Sequence, residues 1–343
     1  MKKSLIALAA LAAFGTASAQ STVTISGSIA ASFQKDLSST AAATTLVTNN
    51  TAVVAAAAAP ASGPGTGLFG NDATITISGV EDLGGGLKTN FSFSYEASGL
   101  RGNPVTDGDR TLGISGGFGA VSYSLTRSSN LMGTISSSAI ALPDSIYDST
   151  GILSRSDVDV LQYTLPTIMP GLVLSVSHAT AEGNVSVATT NSSTMSYTAR
   201  YTQGPVALAV AMKTVEKPTS TTKKSSAEAS LQYNAGMAVI GVGYSGATTT
   251  AATGSAGNTL TETNKAATAF TLHIPMGAFS IGAEQMQRGA QKHTAFGGRY
   301  DFSKRTSFSA SSGKQTYDQV TTATAAQLAA SGNQYRLRLN HTF

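Results

Sequence analysis

Charged side chains at alternate positions of extended segments are the residues of this sequence that could do chemistry. Arg336 and Arg338 alternate with Leu337 and Leu339, so a strand would place both guanidinium groups on one face. Charges fixed along a protein surface that lines water attract or repel nearby ions through their electric field. The same alternation gives further candidates of both signs for such a wall, namely Lys88, Arg200, Lys213, Arg299, Glu96, Glu228, Glu284 and Asp301.

Residue types that could support catalysis or metal binding do not form a pattern. The histidines, His178, His273, His293 and His341, stand far apart, and the chain has no cysteine that could complete a metal site. Serine and aspartate are plentiful, but abundance alone builds no catalytic triad. The three glycines at 84–86 indicate a tight turn, because no helix follows that could form a phosphate-binding loop. We therefore predict no enzyme activity, no cofactor and no metal.

The first nineteen residues have the three parts of a secretory signal peptide. Lys2 and Lys3 precede an apolar stretch from Leu5 to Phe14, and residues 17–19, Ala-Ser-Ala, form a small-residue cleavage site. We expect residues 20–343 to form the mature chain. Loss of the two lysines lowers the formal net charge from +4 to +2. Such a small excess makes no basic patch, so we expect no nucleic-acid partner.

The wall that would hold the charged residues is predicted from composition. Only 12% of residues are charged, whereas about a quarter are charged in soluble domains. No apolar run after the signal peptide approaches the roughly 20 residues of a spanning helix, since the alanine-rich stretch 52–59 is stopped by Pro60. A closed β-barrel is the other structure that satisfies every backbone group in lipid. Because the chain has no cysteine, its rigidity must come from hydrogen-bonded closure or a large core.

Alternation of apolar and small polar residues is the main structural signal. In residues 23–33, Val23, Ile25, Ile29 and Phe33 fall on one face and small hydroxyl side chains on the other. An outer-membrane barrel places the apolar face in lipid and the polar face in water. Sixteen such segments are predicted, at 23–33, 73–81, 87–96, 109–116, 120–127, 157–165, 171–179, 194–202, 205–213, 225–233, 237–245, 267–274, 278–286, 292–302, 305–313 and 333–343.

The connections between these segments alternate between short turns and long loops. Glycine, proline and asparagine mark the short turns, as at 82–86, 117–119 and 234–236. Long loops are predicted at 34–72, 97–108, 127–156, 180–193, 214–224, 246–266 and 314–332. The first includes an alanine- and threonine-rich stretch, for which a short helix is the alternative to a loop. The prediction is an all-β fold, a transmembrane antiparallel β-barrel of 16 strands with periplasmic turns and extracellular loops.

Three segments resemble the general porins of β-proteobacteria. They are residues 79–91 (GVEDLGGGLKTNF), residues 110–123 (RTLGISGGFGAVSY) and residues 335–343 (YRLRLNHTF). Together with the signal peptide they frame the whole chain. The resemblance implies a sixteen-stranded trimeric barrel in the outer membrane, with a third loop that folds into the lumen and narrows it.

The resemblance also suggests which residues build the constriction. The third loop would be residues 128–156, and its acids Asp144 and Asp148 would face the basic wall. The Pro-Glu-Phe-Gly-Gly-like element often seen in such loops is replaced by residues 142–147, LPDSIY, which leaves the constriction size open. Arg110 and Arg127 break parity with their neighbours, but they match arginine positions of such porins and are included as lumen candidates.

The C-terminal strand and the barrel surface suggest partners. Phe343, with Tyr335, Leu337 and Leu339 at alternate positions before it, is similar to the signal read by the outer-membrane barrel assembly machinery. The expected partners are this machinery, outer-membrane lipid and lipopolysaccharide, two further copies of the chain in a homotrimer, and small hydrophilic solutes.

The predicted function is passive diffusion of small hydrophilic solutes and ions through a water-filled channel. Six inward bases against four inward acids among the strand residues predict at most a weak anion preference. The alternative is a barrel that acts mainly as a surface adhesin or structural anchor, with the first loop as the functional part. The third loop separates the two, because inward folding leaves a narrowed channel and outward folding favours display.

Overall fold

A computed structural model describes residues 21–35, 46–48, 51–53, 66–97, 106–128, 130–135, 157–181, 193–217, 220–247, 249–251, 265–289, 291–317 and 332–343. The predicted signal peptide lies outside the described residues. No helix in the described part of the chain is long and apolar enough to cross a membrane.

Sixteen long strands make up nearly all of the described chain. They are β1 (Thr22–Lys35), β4 (Gly67–Gly84), β5 (Leu87–Ala97), β6 (Thr106–Gly116), β7 (Gly119–Arg127), β8 (Asp157–Thr164), β9 (Leu172–Ala181), β10 (Ser193–Gln203), β11 (Val206–Lys217), β12 (Ser220–Asn234), β13 (Val239–Ser245), β15 (Ala267–Met276), β16 (Phe279–Arg288), β17 (Gln291–Asp301), β18 (Thr306–Tyr317) and β19 (Gly332–Thr342). Three short strands, β2 (Leu46–Thr48), β3 (Thr51–Val53) and β14 (Thr249–Ala251), and the 3₁₀ helix η1 (Leu131–Ile135) complete the set.

The long strands form one antiparallel sheet that closes on itself. Each pairs with the next along the chain, and β1 pairs with both β4 and β19. The pairing of β1 with β19 runs from Ser28 opposite Thr342 to Lys35 opposite Tyr335. The prediction of a sixteen-stranded antiparallel barrel is therefore confirmed.

Some strands extend beyond their predicted bounds, so several predicted loops are shorter than expected. Strand β1 continues to Lys35 and β4 begins at Gly67, which shortens the loop predicted at 34–72. Strands β11 and β12 meet at Lys217 and Ser220, where a long loop was predicted at 214–224. The strands continue to pair beyond the segments with alternating apolar residues, because the hydrogen bonds between strands join backbone groups and do not require apolar side chains.

The short turns rest on glycines in the left-handed backbone region, as the sequence indicates. Gly119, the first residue of β7 after the turn from β6, has φ +99°, and a Cβ there would lie 2.2 Å from the Thr164 carbonyl oxygen. Positive φ values recur at Gly84, Gly85 and Gly86 between β4 and β5. These positions require glycine because other residues are strained at positive φ.

The two faces of the wall invert the pattern of a soluble protein. On β1, Val23 and Ile25 are 62% and 64% exposed, whereas Ser32 and Gln34, on the opposite face, are buried. Aromatic residues towards the strand ends, including Phe33, Tyr95 and Tyr233, are exposed as well. An outward apolar surface ringed by aromatic residues is the surface that a barrel presents to lipid.

The seam between first and last strands is closed by backbone hydrogen bonds and an aromatic ring. The Phe343 N–H donates to the Gly27 carbonyl at 3.0 Å, and the Gly27 N–H donates to the Phe343 carbonyl at 3.2 Å. A Cβ on Gly27 would lie 2.5 Å from the Phe343 ring. Glycine is needed here because the ring occupies the space of a side chain.

Candidate functional site

The 3₁₀ helix η1, which follows β7, lies against the inner face of the far wall. It contacts β11, β12, β13 and β15. Leu131, Met132 and Ile135 are each at most 3% exposed, so the apolar side of η1 is buried against this wall. The described part of the predicted third loop is therefore directed into the barrel.

Small side chains on the wall make room for the apolar side of η1. Met132 and Ile135 pack with Ala267, Ala269, Met286 and Ala295 in one cluster, and Leu131 packs with Ala209 and Ala211 in a second. Glycine is required at two more wall positions. A Cβ on Gly241 would lie 2.9 Å from the Ile135 Cβ, and one on Gly243 would lie 2.8 Å from the Met132 Cγ.

A carboxylate fixes the start of η1 to the wall. The Leu131 N–H donates to Glu228 Oε2 at 3.0 Å, and Lys213 Nζ donates to Glu228 Oε1 at 2.8 Å. Glu228 is 5% exposed, so both contacts are shielded from water. Hydrogen bonds to an ionised group are stronger than neutral ones. Glu228 therefore joins η1 to the wall through one oxygen and to Lys213 through the other.

Further hydrogen bonds hold the length of η1. Gln232 Nε2 donates to the Thr134 carbonyl at 3.1 Å, and the Thr271 hydroxyl donates to the Ile135 carbonyl. The Thr134 hydroxyl lies 3.2 Å from Ser230 Oγ. Polar contacts therefore flank the apolar clusters, which gives η1 a defined position on the wall.

Three arginines share a serine-lined part of the inner face, which is called here the arginine face. Arg299 on β17 and Arg338 on β19 both pair with Ser309 of β18, and Arg336 pairs with Ser311. Two strand spacings therefore separate Arg299 from Arg338, or about 10 Å. Arg336 Nε donates to the Gln34 side-chain oxygen at 2.8 Å, and Arg299 forms an ion pair with Asp301 at 2.7 Å.

The register also gives the directions of the other predicted wall residues. Lys88, Glu96, Arg200 and Glu284 pair with inward polar or small residues, namely Asp82, Thr74, Ala209 and Thr271, and lie on the inner face. Glu284 is buried, whereas Lys88, Glu96 and Arg200 are exposed. Asp144 and Asp148 lie outside the described residues. Within those residues, no group of three or more His, Asp or Glu side chains could hold a metal ion.

The register places Arg110 and Arg127 on the outer face, so the prediction that they line the lumen is wrong. Arg110 pairs with Phe93 on one side and Leu125 on the other, and directly paired residues project from the same face. Arg127 pairs with Asp157 and forms an ion pair with it at 3.5 Å. The two-residue period of the strands decides these directions and outweighs the resemblance that suggested the lumen.

Sequence reasoning missed the residues that seat η1. Leu131, Met132 and Ile135 are apolar residues in a predicted loop, where nothing local indicates a partner. A signal was nevertheless present on the wall. Ala209, Ala211, Gly241, Gly243, Ala267 and Ala269 are small residues at successive inward positions opposite large outward ones.

A closed antiparallel barrel with an apolar outer face, a polar inner face and a chain segment seated inside defines a transmembrane pore protein. The family model for Gram-negative porins matches residues 7–320. The chain belongs to this family and is an outer-membrane protein.

Individual relatives agree with this family assignment. The chain is 40% identical over 127 residues to outer membrane porin protein 32 of Delftia acidovorans, a match that covers 35% of this chain and 30% of that relative. Its fold is similar to that of an anion-selective porin from Comamonas acidovorans, with a TM-score of 0.63 at 17% identity over 94% of this chain and 100% of that chain. A loop L8 deletion mutant of OmpT from Vibrio cholerae gives a TM-score of 0.60 at 11% identity, over 94% and 99% of the two chains. At these identities the structural likeness shows the fold.

Proposed function

We propose that the protein is a channel for passive diffusion of small hydrophilic solutes, with a weak preference for anions. Membership of the porin family supports the channel, and the position of η1 carries the argument for a narrowed one. An inward segment, held by Glu228 and two apolar clusters, reduces the open cross-section near one wall. The adhesin or anchor alternative is weakened, because it favours a third loop directed outward.

The anion preference rests on the arginine face. Arg299, Arg336 and Arg338 project from two strands separated only by β18, whose facing residues are uncharged serines. Grouped guanidinium charges on a low-dielectric wall raise the local concentration of anions. Lys213 and Arg299 contribute less than an unpaired cation would, because they form ion pairs with Glu228 and Asp301. A preference of a few-fold therefore fits better than strict selectivity.

Reversal potentials in a tenfold KCl gradient across a planar bilayer test this assignment. The wild-type channel should favour chloride, and a variant with Arg299→Gln, Arg336→Gln and Arg338→Gln should move several-fold towards potassium. Arg127→Gln with Arg305→Gln is the matched control, since these arginines lie on the outer face and in a turn. Cation preference in the wild type would contradict the proposal, and absence of conductance would favour the anchor alternative.

We also propose a homotrimer in which the outer face around Arg110 contacts a second copy. A lipid-facing arginine costs roughly 2–4 kcal/mol at mid-membrane, and burial against protein removes that cost. The Tyr123 hydroxyl donates to Asp159 Oδ1 at 2.8 Å on the same face, which adds a polar group there. Aromatic residues and arginine are enriched in protein interfaces. A shallow concavity on this face is lined by Phe91, Phe93, Tyr95, Arg110, Leu112 and Tyr123.

Mass photometry of detergent-solubilised protein tests this contact. Arg110→Glu should shift the population from trimer to monomer, whereas Arg200→Glu, on the inner face, should leave the trimer intact. Heat-modifiable electrophoretic mobility reports whether each barrel has folded. A folded Arg110→Glu variant that stays trimeric would exclude this face as the subunit contact.

Export and assembly complete the proposal. Residues 1–19 would direct export, and the alternate residues Tyr335, Leu337, Leu339 and Phe343 would serve as the signal for barrel assembly. The register supports the second role, because all four residues share the outer face of the seam strand, where an assembly factor could contact them.

A further inference from the structure

Uncharged polar residues form a row across the inner face of six adjacent strands, β5 to β10. This row, called here the polar ramp, consists of Asn90, Gly113, Ser122, Gln162, Ser177 and Ser196. We propose that the polar ramp is the path of uncharged polyhydroxylated solutes through the barrel, separate from the arginine face that acts on ions. The inference rests on the proposed channel and deepens it, because it names a solute class and the residues that select it.

The register shows that the ramp extends between the two ends of the barrel. Each ramp residue is directly paired with the next, so all of them project from the same face. Asn90 lies three residues from the start of β5, and Ser196 lies three residues from the start of β10. These starts are at opposite ends, because the strands alternate in direction. A row perpendicular to tilted strands climbs along the barrel axis, so a solute that follows the ramp moves from one mouth to the other.

The ramp is continuous, and a second row of hydroxyl groups runs beside it. The Asn90 side chain occupies the space beside Gly113, where a Cβ would lie 2.7 Å from Asn90 Oδ1. Neighbouring strands are about 4.8 Å apart, so a solute can form a new hydrogen bond before it leaves the last one. The second row is Thr24, Ser78, Ser92, Thr111 and Ser124.

The ramp side chains are accessible, unlike many hydroxyl groups of the opposite wall. Asn90 is exposed and the other ramp side chains are half-buried. On the far wall, Ser230, Ser280 and Ser307 are at most 9% exposed. The helix η1 contacts that wall on β11, β12, β13 and β15. A solute in the described part of the lumen therefore meets hydroxyl groups mainly on the ramp side.

The chemistry of the ramp selects the solute class. No ramp residue is charged, and Lys213, which pairs with Ser196 at the upper end, is held by Glu228. A neutral solute gains nothing from a charge, so its passage depends on the hydrogen-bond donors and acceptors that line the path. Hydroxyl and amide groups both donate and accept. The ramp therefore fits solutes rich in hydroxyl groups, such as sugars and sugar alcohols, in many orientations.

Liposome swelling with two uncharged solutes of nearly equal mass tests the ramp. Xylitol carries many hydroxyl groups, whereas triethylene glycol carries ether oxygens in place of most of them. The wild type should admit xylitol faster than triethylene glycol. The ramp variant, Ser122→Ala with Ser177→Ala and Ser196→Ala, should lose about fivefold in xylitol rate, the effect of one hydrogen bond lost at the highest point of the barrier. Its triethylene glycol rate should not change.

Two further variants separate hydrogen bonding from other effects. Ser→Thr at the same three ramp positions keeps the hydroxyl groups and should retain the wild-type preference for xylitol. The matched control, Ser280→Ala with Ser307→Ala and Ser312→Ala, changes two buried serines and one on the outer face. It should admit xylitol as the wild type does. Heat-modifiable electrophoretic mobility shows that each compared barrel is folded.

Three results would overturn the proposal. They are equal xylitol rates in the ramp variant and the wild type, an equal loss for both solutes, and a ramp variant whose chloride-to-potassium preference changes together with its xylitol rate. The last result would show that ions and neutral solutes share one path. Failure of the proposed channel is distinguishable, because the wild type would then conduct no ions and admit neither solute.

Discussion

At the residue scale, Glu228 connects two parts of the molecule that are distant in sequence. One carboxylate oxygen accepts the Leu131 N–H and the other accepts Lys213, both in a buried setting. A buried donor left without its acceptor costs about 1–3 kcal/mol. Glu228 is therefore a positioning residue for η1, the segment seated on the inner wall.

Substitution of Glu228 should loosen η1 in a graded way. Glu228→Gln keeps an acceptor for the Leu131 N–H but loses the ion pair, whereas Glu228→Ala loses both contacts. Removal of about 1–3 kcal/mol raises the detached population roughly 5- to 150-fold. Single-channel current noise at fixed voltage should rise from wild type to Gln to Ala. Glu216→Ala, on the outer face of β11, is the control, and wild-type noise in Glu228→Ala would contradict the assignment.

Side-chain direction is the property that the sequence predicts best at this scale. Arg336 and Arg338 alternate with leucines, and their inward direction follows from a period of two. The same rule places Arg110 and Arg127 on the outer face. The prediction that they line the lumen was wrong because it followed the family resemblance and not the alternation. The partners of each charge depend on register, which a single sequence does not provide.

At the scale of elements, η1 packs closely on the wall because the wall has glycines at the points of contact. Gly241 and Gly243 leave the space that Ile135 and Met132 fill. Close-packed contacts of this kind tolerate little added volume. The position of η1 is therefore sensitive to single methyl groups on the inner wall.

Gly241→Val should push η1 away from the wall and lower the single-channel conductance. Its Cβ would lie 2.9 Å from the Ile135 Cβ, so the backbone of η1 must move towards the lumen axis. The control is Ala229→Val, which adds the same kind of side chain to the outer face of β12. Conductance equal to or above that of the wild type would count against this packing.

The strands and turns were predictable because their signals are local. Alternation and turn glycines lie within a few residues of the structure they specify, as at Gly119. The seat of η1 was not predictable, because Leu131 and Glu228 are 97 residues apart and Ile135 and Thr271 are 136 apart. Contacts of this range depend on the closed barrel rather than on any short pattern.

At the scale of the whole molecule, charges are sorted by surface. The inner wall carries the arginine face, one outer arc carries Lys35, Lys292 and Lys314, and another carries Arg110 and Arg127 with Asp157 and Asp159. The net formal charge of +4 hides this separation. Composition therefore gave the class of protein, and only the register revealed the distribution of charge.

The proposed anion preference should weaken as salt rises, because the field of the wall charges is screened by salt whereas a binding pocket is not. The Debye length falls from about 10 Å at 0.1 M to about 3 Å at 1 M. The chloride-to-potassium permeability ratio should approach unity over this range. The triple arginine variant should vary little with salt, and a wild-type ratio that stayed constant would point to a discrete anion site.

The pairing of β1 with β19 has a consequence for biogenesis. Until β19 is in place, the sheet has two free edges, and each presents unpaired N–H and C=O groups that can template pairing with another chain. Such long-range strand pairing is slow and leaves the chain prone to aggregation while it waits. The polypeptide must therefore be kept from self-association until its far end arrives. Deletion of β19 should give an aggregating sheet rather than a smaller pore.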